Sequence, residues 1–256
     1  MVADELSYEQ YLDLGTLLAA QHPRSNAPDE LLFIVTHQTM ELWLKLILSE
    51  LNGARARIAA DDLRPAFKML SRVARAQTQM IEGWNVLATM TPIEFTAMRP
   101  HLGSSSGFQS FQYRMLEAVM GAKSARHLDT FESAPEQRAS LAAEYARPSI
   151  YDEALALLRR RGYPVPIVPT SPDPAVEAVW SAIYRDAERH WDLYELAEKL
   201  VDLEYHVQRW RFGHLKTVER IIGLKRGTGG SAGTAYLAGV LKLTFFPELL
   251  SVRTAL

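Results

Sequence analysis

Apolar residues recur at helical spacing along most of this chain. Residues 29–52 carry leucine and valine at mixed intervals of three, four and seven positions, and residues 65–90 also have a helical pattern that opens at a proline. From Pro174 to Ile222 no further proline occurs and the only glycine is Gly213, which predicts a very long helix that bends or breaks once. No stretch alternates apolar and polar residues for more than a few positions. The pattern therefore predicts an all-α protein.

Local signals mark where two shorter helices begin. Thr91-Pro92-Ile93-Glu94 is a capping box with proline at the first helical position, and it predicts a short helix that runs through Arg99. Ser149 and Asp152 predict the start of another helix, which Gly162 ends. These signals divide the chain into helices joined by short loops.

Glycines predict two helix ends. We expect Gly53 to end the helix over 29–52, and Gly121 to end a helix that begins near Phe108. Apolar residues cover most of the circumference of the helix over 29–52. We therefore expect that helix to be buried at the centre of the fold.

Composition narrows the possible partners. With 256 residues and 48% hydrophobic composition, the chain can bury a full core, and we interpret residues 1–256 as one domain. A net charge of −2 argues against a nucleic-acid partner. The absence of cysteine excludes thiolate haem ligation, iron–sulfur clusters and cysteine-based zinc sites. Residues 1–7 do not form a signal peptide and charge interrupts the apolar runs, so we expect a cytoplasmic protein without a membrane-spanning segment.

His214 is the first candidate for chemistry. It lies near the end of the long helical pattern, just before the glycine-rich run of residues 225–231. This setting is typical of an axial haem ligand beside a small-molecule pocket, although a packed or solvated histidine has the same sequence pattern. No glutamate stands three residues before any histidine, and His-Glu-x-x-His is absent, which disfavours di-iron and zinc sites built from those motifs.

Two aromatic residues precede polar partners by four positions. Phe33 and His37 share a helix face and together offer a ring and an imidazole, or else form an ordinary core contact. Phe95 and Arg99 repeat the spacing on the short capped helix. A guanidinium there could bind a carboxylate through two parallel hydrogen bonds, although a surface salt bridge is the plainer interpretation.

The glycine-rich run and the N-terminal tyrosines are weaker signals. Gly227-Thr228-Gly229-Gly230 follows a helix and lacks the Gly-Lys-Ser/Thr ending of a phosphate loop, so nucleotide binding is disfavoured. The loop amides and the Thr228 hydroxyl could still bind the polar end of a ligand. Tyr8 and Tyr11, three residues apart, indicate only packing when they are considered alone.

Taken in order, several stretches of the chain resemble the tryptophan 2,3-dioxygenase family, from Tyr8 to Thr254. The most specific are His37-Gln38-Thr39, Glu41-Leu42-Trp43, Ser106-Gly107-Phe108-Gln109-Ser110, Lys225-Arg226-Gly227-Thr228-Gly229-Gly230, Phe245-Phe246-Pro247-Glu248-Leu249 and Val252-Arg253-Thr254. Asp202, Glu204, Gln208, Trp210 and Arg211 also match the run that precedes the family's haem histidine. The resemblance implies a helical haem-dioxygenase fold, in which long antiparallel helices surround a b-type haem pocket.

The resemblance also assigns roles. His214 corresponds to the axial ligand of haem b (iron protoporphyrin IX), and His37 to the distal histidine that meets the indole N–H. Phe33 lies against the indole ring, Arg99 binds the substrate carboxylate and Thr228 meets its ammonium group.

Further positions complete the implied substrate site. Leu102, Ser106 and Gly107 belong to the loop over the distal side, and Phe95 stands where some relatives have tyrosine. The resemblance places Tyr8 and Tyr11 in the pocket of a neighbouring subunit and implies a homotetramer.

The implied activity is the haem-dependent cleavage of the indole C2–C3 bond of L-tryptophan with O₂ to give N-formylkynurenine, in the kynurenine pathway of tryptophan catabolism. Phe95, Thr36, Met40 and Gly213 depart from the usual family residues. Two alternatives stay open. One is a biosynthetic relative that oxidises a modified tryptophan, and the other is a non-catalytic haem or helical binding protein.

Overall fold

The computed structural model describes residues 6–225 and 233–256, and within these ranges the chain is helical with no strand. The α-helices are α1 Tyr8–Leu12, α2 Leu14–Leu18, α3 Glu30–Ala59, α4 Leu63–Leu87, α5 Pro92–Met98, α6 Phe111–Met120, α7 Ala125–Asp129, α8 Pro135–Tyr145, α9 Ile150–Arg160, α10 Pro174–Arg185, α11 Trp191–Ile222, α12 Thr234–Val240 and α13 Pro247–Ala255. Short 3₁₀ helices occur at Arg99–Leu102 and Gly107–Gln109. The all-α prediction is confirmed.

Three long helices form the frame of the fold. The three residues 60–62 join α3 to α4, and the two helices pack against each other as an antiparallel pair. Helix α11 packs on α4 in turn. Helix α4 is strongly amphipathic, and its buried stripe recurs every three or four residues. That stripe consists of Leu63, Ala66, Leu70, Val73, Ala76, Gln77, Met80, Trp84 and Leu87. Helix α4 thereby links α3 to α11, the two helices that carry His37 and His214.

Gly53 does not end α3, so that prediction is wrong. The helix continues through Gly53 to Ala59, and the chain turns at Asp61, which has a φ of 57°. A Cβ atom at position 53 would lie 3.1 Å from Sδ of Met69 on α4. The glycine therefore lies where α3 and α4 approach closely, and its small size serves packing rather than helix termination.

One face of α3 is exposed, which contradicts the expectation of a helix buried on all sides. Its inner stripe, which includes Met40, Leu44 and Ile47, is buried in the core. On the remaining surface, four large apolar side chains are 41–50% exposed. These are Leu31, Val35, Leu42 and Leu46. A contiguous run of such residues is typical of a surface that is covered by another protein.

Helix α3 is also long and apolar enough, by length and composition alone, to cross a membrane. Only 22% of its most apolar window is buried in this chain. Core helices of globular proteins meet the same criterion, and α3 packs its inner stripe on α4. We therefore regard it as a packing helix with one uncovered face.

The capping signals in the sequence are confirmed. Thr91 and Glu94 form the capping box of α5, and Ser149 and Asp152 form that of α9. Gly121 ends α6 with a φ of 116°, a conformation that favours glycine. Local side chain–backbone hydrogen bonds explain why these boundaries could be predicted from the sequence.

The start of α6 differs from the sequence prediction, whereas the break in the long helical pattern agrees with it. Helix α6 begins at Phe111 rather than Phe108, because Ser106 caps the 3₁₀ helix Gly107–Gln109 and Ser110 then caps α6. The long pattern over 174–222 breaks once, as predicted, and residues 186–190 separate α10 from α11. The resulting α11 has 32 residues and includes Gly213 in its interior.

Candidate active site

Both candidate histidines line one cavity of about 190 Å³. His37 comes from α3 and His214 from α11, while Phe33, Phe95 and Arg99 line the same space. The other lining residues are Trp84, Leu87, Ser106, Gly107, Phe108, Tyr113, Arg114, Trp210, Arg211, Thr217, Val218, Ile221, Ile222, Gly233, Tyr236, Leu237 and Val240. The walls are mostly apolar, with a few polar groups, as is typical of a small-molecule site.

His214 provides an uncharged imidazole. Burial, and secondarily the nearby His37, lower its pKa to about 4, so the ring is neutral at neutral pH. Its ring lies parallel to the indole of Trp84, with 4.7 Å between centroids and 6° between planes. A neutral imidazole keeps a nitrogen lone pair, which metal coordination requires.

His37 is held by its own helix. Nδ1 of His37 lies 2.7 Å from the backbone oxygen of Phe33, and since a carbonyl can only accept, Nδ1 is the donor. Burial lowers the pKa of His37, although the Phe33 hydrogen bond and the charge of Glu41 oppose that shift. In the neutral ring Nε2 is therefore an acceptor that is available to a ligand.

Aromatic rings adjoin His37. The Phe33 ring is 4.1 Å from the His37 ring and 6.2 Å from the Phe95 ring, measured between centroids. Phe95 is buried on α5, and Arg99 follows one turn later, where the 3₁₀ helix begins. The structure thus brings together two apolar rings, an acceptor nitrogen and a guanidinium, which suit the ring, the N–H and the carboxylate of an aromatic amino acid.

The other predicted substrate residues divide into three groups. Ser106 and Gly107 line the cavity, whereas Leu102 packs on the neighbouring apolar cluster and is not among the lining residues. Tyr8 and Tyr11 do not line the cavity either, and they are 75% and 74% exposed on α1. Thr228 lies outside the described residues.

A buried ionic cluster at the cavity was not predicted from the sequence. Glu117 accepts hydrogen bonds from Nη1 of Arg114 at 2.6 Å and from Nη2 of Arg211 at 3.0 Å. Nε of Arg211 also donates to the hydroxyl of Tyr113 at 2.9 Å. All three charged side chains are 3–5% exposed. The cluster joins α6 to α11, and charged residues within the otherwise apolar helix 111–120 were the only signal in the sequence.

The histidines of the cavity suit a metal ion that is already held by a planar cofactor. No group of three or more His, Cys, Asp or Glu side chains in the described ranges could bind a metal ion by itself. The cavity instead offers the neutral imidazole of His214, apolar walls and a second imidazole, and these residues would fit haem, which needs one nitrogen ligand from its protein. The lining of this cavity in an all-helical fold is therefore compatible with a haem group.

Comparison with known proteins gives the family. The family model described as tryptophan 2,3-dioxygenase matches residues 2–163 and 171–256. A protein of Erythrobacter litoralis (strain HTCC2594) with that name is 61% identical over 263 residues, which cover 100% of both chains. A protein of the same name from Burkholderia pseudomallei (strain 668) is 53% identical, over 99% of this chain and 86% of its own length. Another from Cupriavidus necator is 52% identical, over 99% of this chain and 89% of its own length. The chain belongs to the tryptophan 2,3-dioxygenase family.

Proposed function

We propose that this protein is a haem-dependent dioxygenase that cleaves the indole C2–C3 bond of L-tryptophan with O₂ and forms N-formylkynurenine, the opening reaction of the kynurenine pathway. The observation that carries the proposal is the convergence of His37 and His214 on one cavity, beside Phe33, Phe95 and Arg99. Family membership supports it, because the relatives are named for this reaction.

We assign His214 as the residue that would hold haem b. It is the one histidine besides His37 among the described lining residues, and its neutral ring can donate a nitrogen lone pair. The haem would supply the activation of O₂, a reaction for which proteins rely on cofactors. The protein's own contribution is to bind and orient the substrate.

His37, Phe33 and Arg99 would orient tryptophan. Nε2 of His37 accepts the indole N–H, since Nδ1 is already committed to the Phe33 carbonyl. Phe33 and Phe95 pack against the apolar indole, and Arg99 binds the carboxylate, where two parallel hydrogen bonds fix the amino-acid end. Thr228 would receive the ammonium group. Holding reactants in a reactive geometry can supply several kcal/mol, and up to about 7–11 kcal/mol in the best intramolecular models.

A second copy of the chain would complete the site, as part of a homotetramer. Tyr8 and Tyr11 expose most of their aromatic rings to solvent, although burial of such rings is favourable. They also lie outside the cavity of their own chain. The uncovered apolar face of α3, which includes Leu42 and Leu46, provides a surface for another copy. Both observations support a pocket that is shared between subunits.

Phe95, Thr36 and Met40 depart from the usual family residues and leave room for a second substrate class. Phe95 has no hydroxyl group. The carboxylate that Arg99 would bind therefore has one hydrogen-bond donor fewer than it would have with tyrosine at position 95. A biosynthetic relative that oxidises a ring- or β-substituted tryptophan is therefore the second candidate. Turnover of tryptophan beside such analogues distinguishes the two enzymes.

The test of the proposal combines spectra with product analysis. The purified protein should show a haem spectrum that changes when L-tryptophan is added, and ¹⁸O₂ should place both labelled atoms in N-formylkynurenine. His214→Ala should lose haem, whereas His37→Ala should retain it. A His214→Ala variant with full haem and an unchanged spectrum would overturn the ligand assignment. Haem binding without any tryptophan oxidation would support a non-catalytic haem protein.

A further inference from the structure

The indole of Trp84 is fixed in two directions beside His214. Its plane is stacked on the His214 imidazole, with 4.7 Å between centroids and 6° between planes. Its Nε1–H donates a 3.0 Å hydrogen bond to the backbone oxygen of Trp210, one turn before His214 on α11. Trp84 is 5% exposed, so neighbouring side chains also restrain it.

Gly213 has no side chain, and the Trp84 ring occupies the space beside it that a Cβ atom would need. A Cβ atom at position 213 would lie 2.7 Å from Cδ1 of Trp84, a distance that real Cβ atoms do not show. Cδ1 belongs to a rigid ring and is bonded to Nε1, whose hydrogen bond to Trp210 holds that edge in place, so the indole cannot yield as a flexible chain end would. Glycine in the interior of a helix is destabilising relative to alanine. The close approach of Trp84 gives a reason for glycine at this position of α11.

The stack on Trp84 is the closer and more nearly parallel of the two aromatic contacts of the His214 ring. In metalloproteins a ligating histidine is usually oriented by a hydrogen bond from its second nitrogen to a carbonyl or carboxylate. Among residues 6–225 and 233–256, no side chain or backbone group makes such a bond to His214, and its aromatic contacts are with Trp84 and the more distant Trp210. A parallel aromatic ring limits rotation of the imidazole plane in place of that bond.

We propose that Trp84 is a positioning residue for the axial imidazole of His214, and that Gly213 is required because it admits the Trp84 ring. The inference rests on the proposed function, in which His214 holds haem. It adds that α4 sets the ring plane of a ligand carried on α11. In this role Trp84 acts through His214, and its proposed effect is on the orientation of that imidazole.

The first experiment measures the iron–histidine bond rather than activity. Resonance Raman spectra of the ferrous, full-length protein should show a single iron–histidine stretching band. Trp84→Leu should broaden or shift that band and raise the rate of haem loss to apomyoglobin at least tenfold. Trp84→Phe keeps a stacking ring without the N–H donor, and it should retain most of the wild-type signal. Gly213→Ala should change the band as Trp84→Leu does, because the new Cβ displaces the ring.

The second experiment tests the packing of residues 84 and 213 by urea unfolding of the full-length protein. Gly213→Ala should lower the unfolding midpoint when Trp84 is present, and raise it in the Trp84→Leu background, where only helix propensity acts. Gly53→Ala is the matched control. It is also a glycine inside a helix, but its new Cβ would meet the flexible end of Met69. That control should leave the iron–histidine band unchanged.

The outcomes separate this inference from the proposed function. An unchanged iron–histidine band in haem-loaded Trp84→Leu and Gly213→Ala would overturn the inference, provided that His214→Ala loses haem. A His214→Ala variant that keeps its haem would overturn the proposed function and the positioning role together. Should Trp84→Leu fail to fold, Trp84→Phe and Gly213→Ala still give the comparison of iron–histidine bands. When Trp84→Leu folds, an equal effect of Gly213→Ala on stability in the wild-type and Trp84→Leu backgrounds would refute the close-packing explanation for Gly213.

Discussion

Nδ1 of His37 donates a 2.7 Å hydrogen bond to the backbone oxygen of Phe33, and the two rings are 4.1 Å apart between centroids. The two residues are one helical turn apart, so regular helix geometry produces the contact without help from the rest of the fold. It fixes the tautomer of the ring, because only Nδ1 can then carry the proton of the neutral imidazole. Nε2 is left as an acceptor before any ligand arrives.

This tautomer predicts how activity depends on pH. Burial lowers the pKa of His37 below its ordinary value of 6.5, so the ring loses its acceptor nitrogen only at lower pH. We expect kcat/KM for tryptophan to be constant above pH 6.5 and to fall at more acid pH, as Nε2 becomes protonated. The measurement is a pH profile of kcat/KM for wild type and His37→Ala. The same acid decline in both proteins would show that another group titrates.

Arg99 should determine recognition of the amino-acid end. A hydrogen bond to a charged group is worth about 1.5–3 kcal/mol, and 1.4 kcal/mol corresponds to one decade in rate. We expect Arg99→Ala to reduce kcat/KM for tryptophan at least tenfold, and Arg99→Lys to restore only part of the loss, because lysine lacks the planar fork. Steady-state kinetics with tryptophan and tryptamine provide the measurement. Wild-type protein that oxidised tryptamine as efficiently as tryptophan would contradict the assigned role.

The N-terminal segment should affect substrate binding but not haem. Tyr8 and Tyr11 are exposed on α1 and lie outside the cavity of their own chain. Deletion of residues 1–15 should therefore raise KM for tryptophan while the haem spectrum is retained. The double variant Tyr8→Ala/Tyr11→Ala is the milder version of the test. An unaltered KM in both proteins would argue against a site that is shared between subunits.

Glu117 should be essential for stability. It is buried between the guanidinium groups of Arg114 and Arg211, and its removal would leave two buried charges without their carboxylate. Loss of one partner of a buried ion pair costs about 3–5 kcal/mol. We expect Glu117→Ala to lower the free energy of unfolding by about that amount in urea titrations. The control is Glu219→Ala, which breaks an exposed pair with Lys216 and should cost under about 1 kcal/mol.

The sequence predicted those structural features that depend on neighbouring residues. Helical periodicity identified the long helices, and the capping boxes at Thr91 and Ser149 placed the starts of α5 and α9. Gly53 shows the limit of such reasoning, because the same residue type can end a helix or allow close packing inside one. Which of the two applies depends on Met69 of α4, a contact that no local pattern contains.

By itself, the sequence determined the helical class and the family resemblance. It also determined that Phe33 shares a helix face with His37, and Phe95 with Arg99, because spacing along one helix fixes which side chains share a face. Only the tertiary structure decided that α3, α4 and α11 bring both histidines to one cavity and that Trp84 occupies the space beside Gly213. It alone also placed Glu117 between two arginines from different helices. These relationships join residues far apart in the chain, and they arise only when the apolar stripes of the helices pack together.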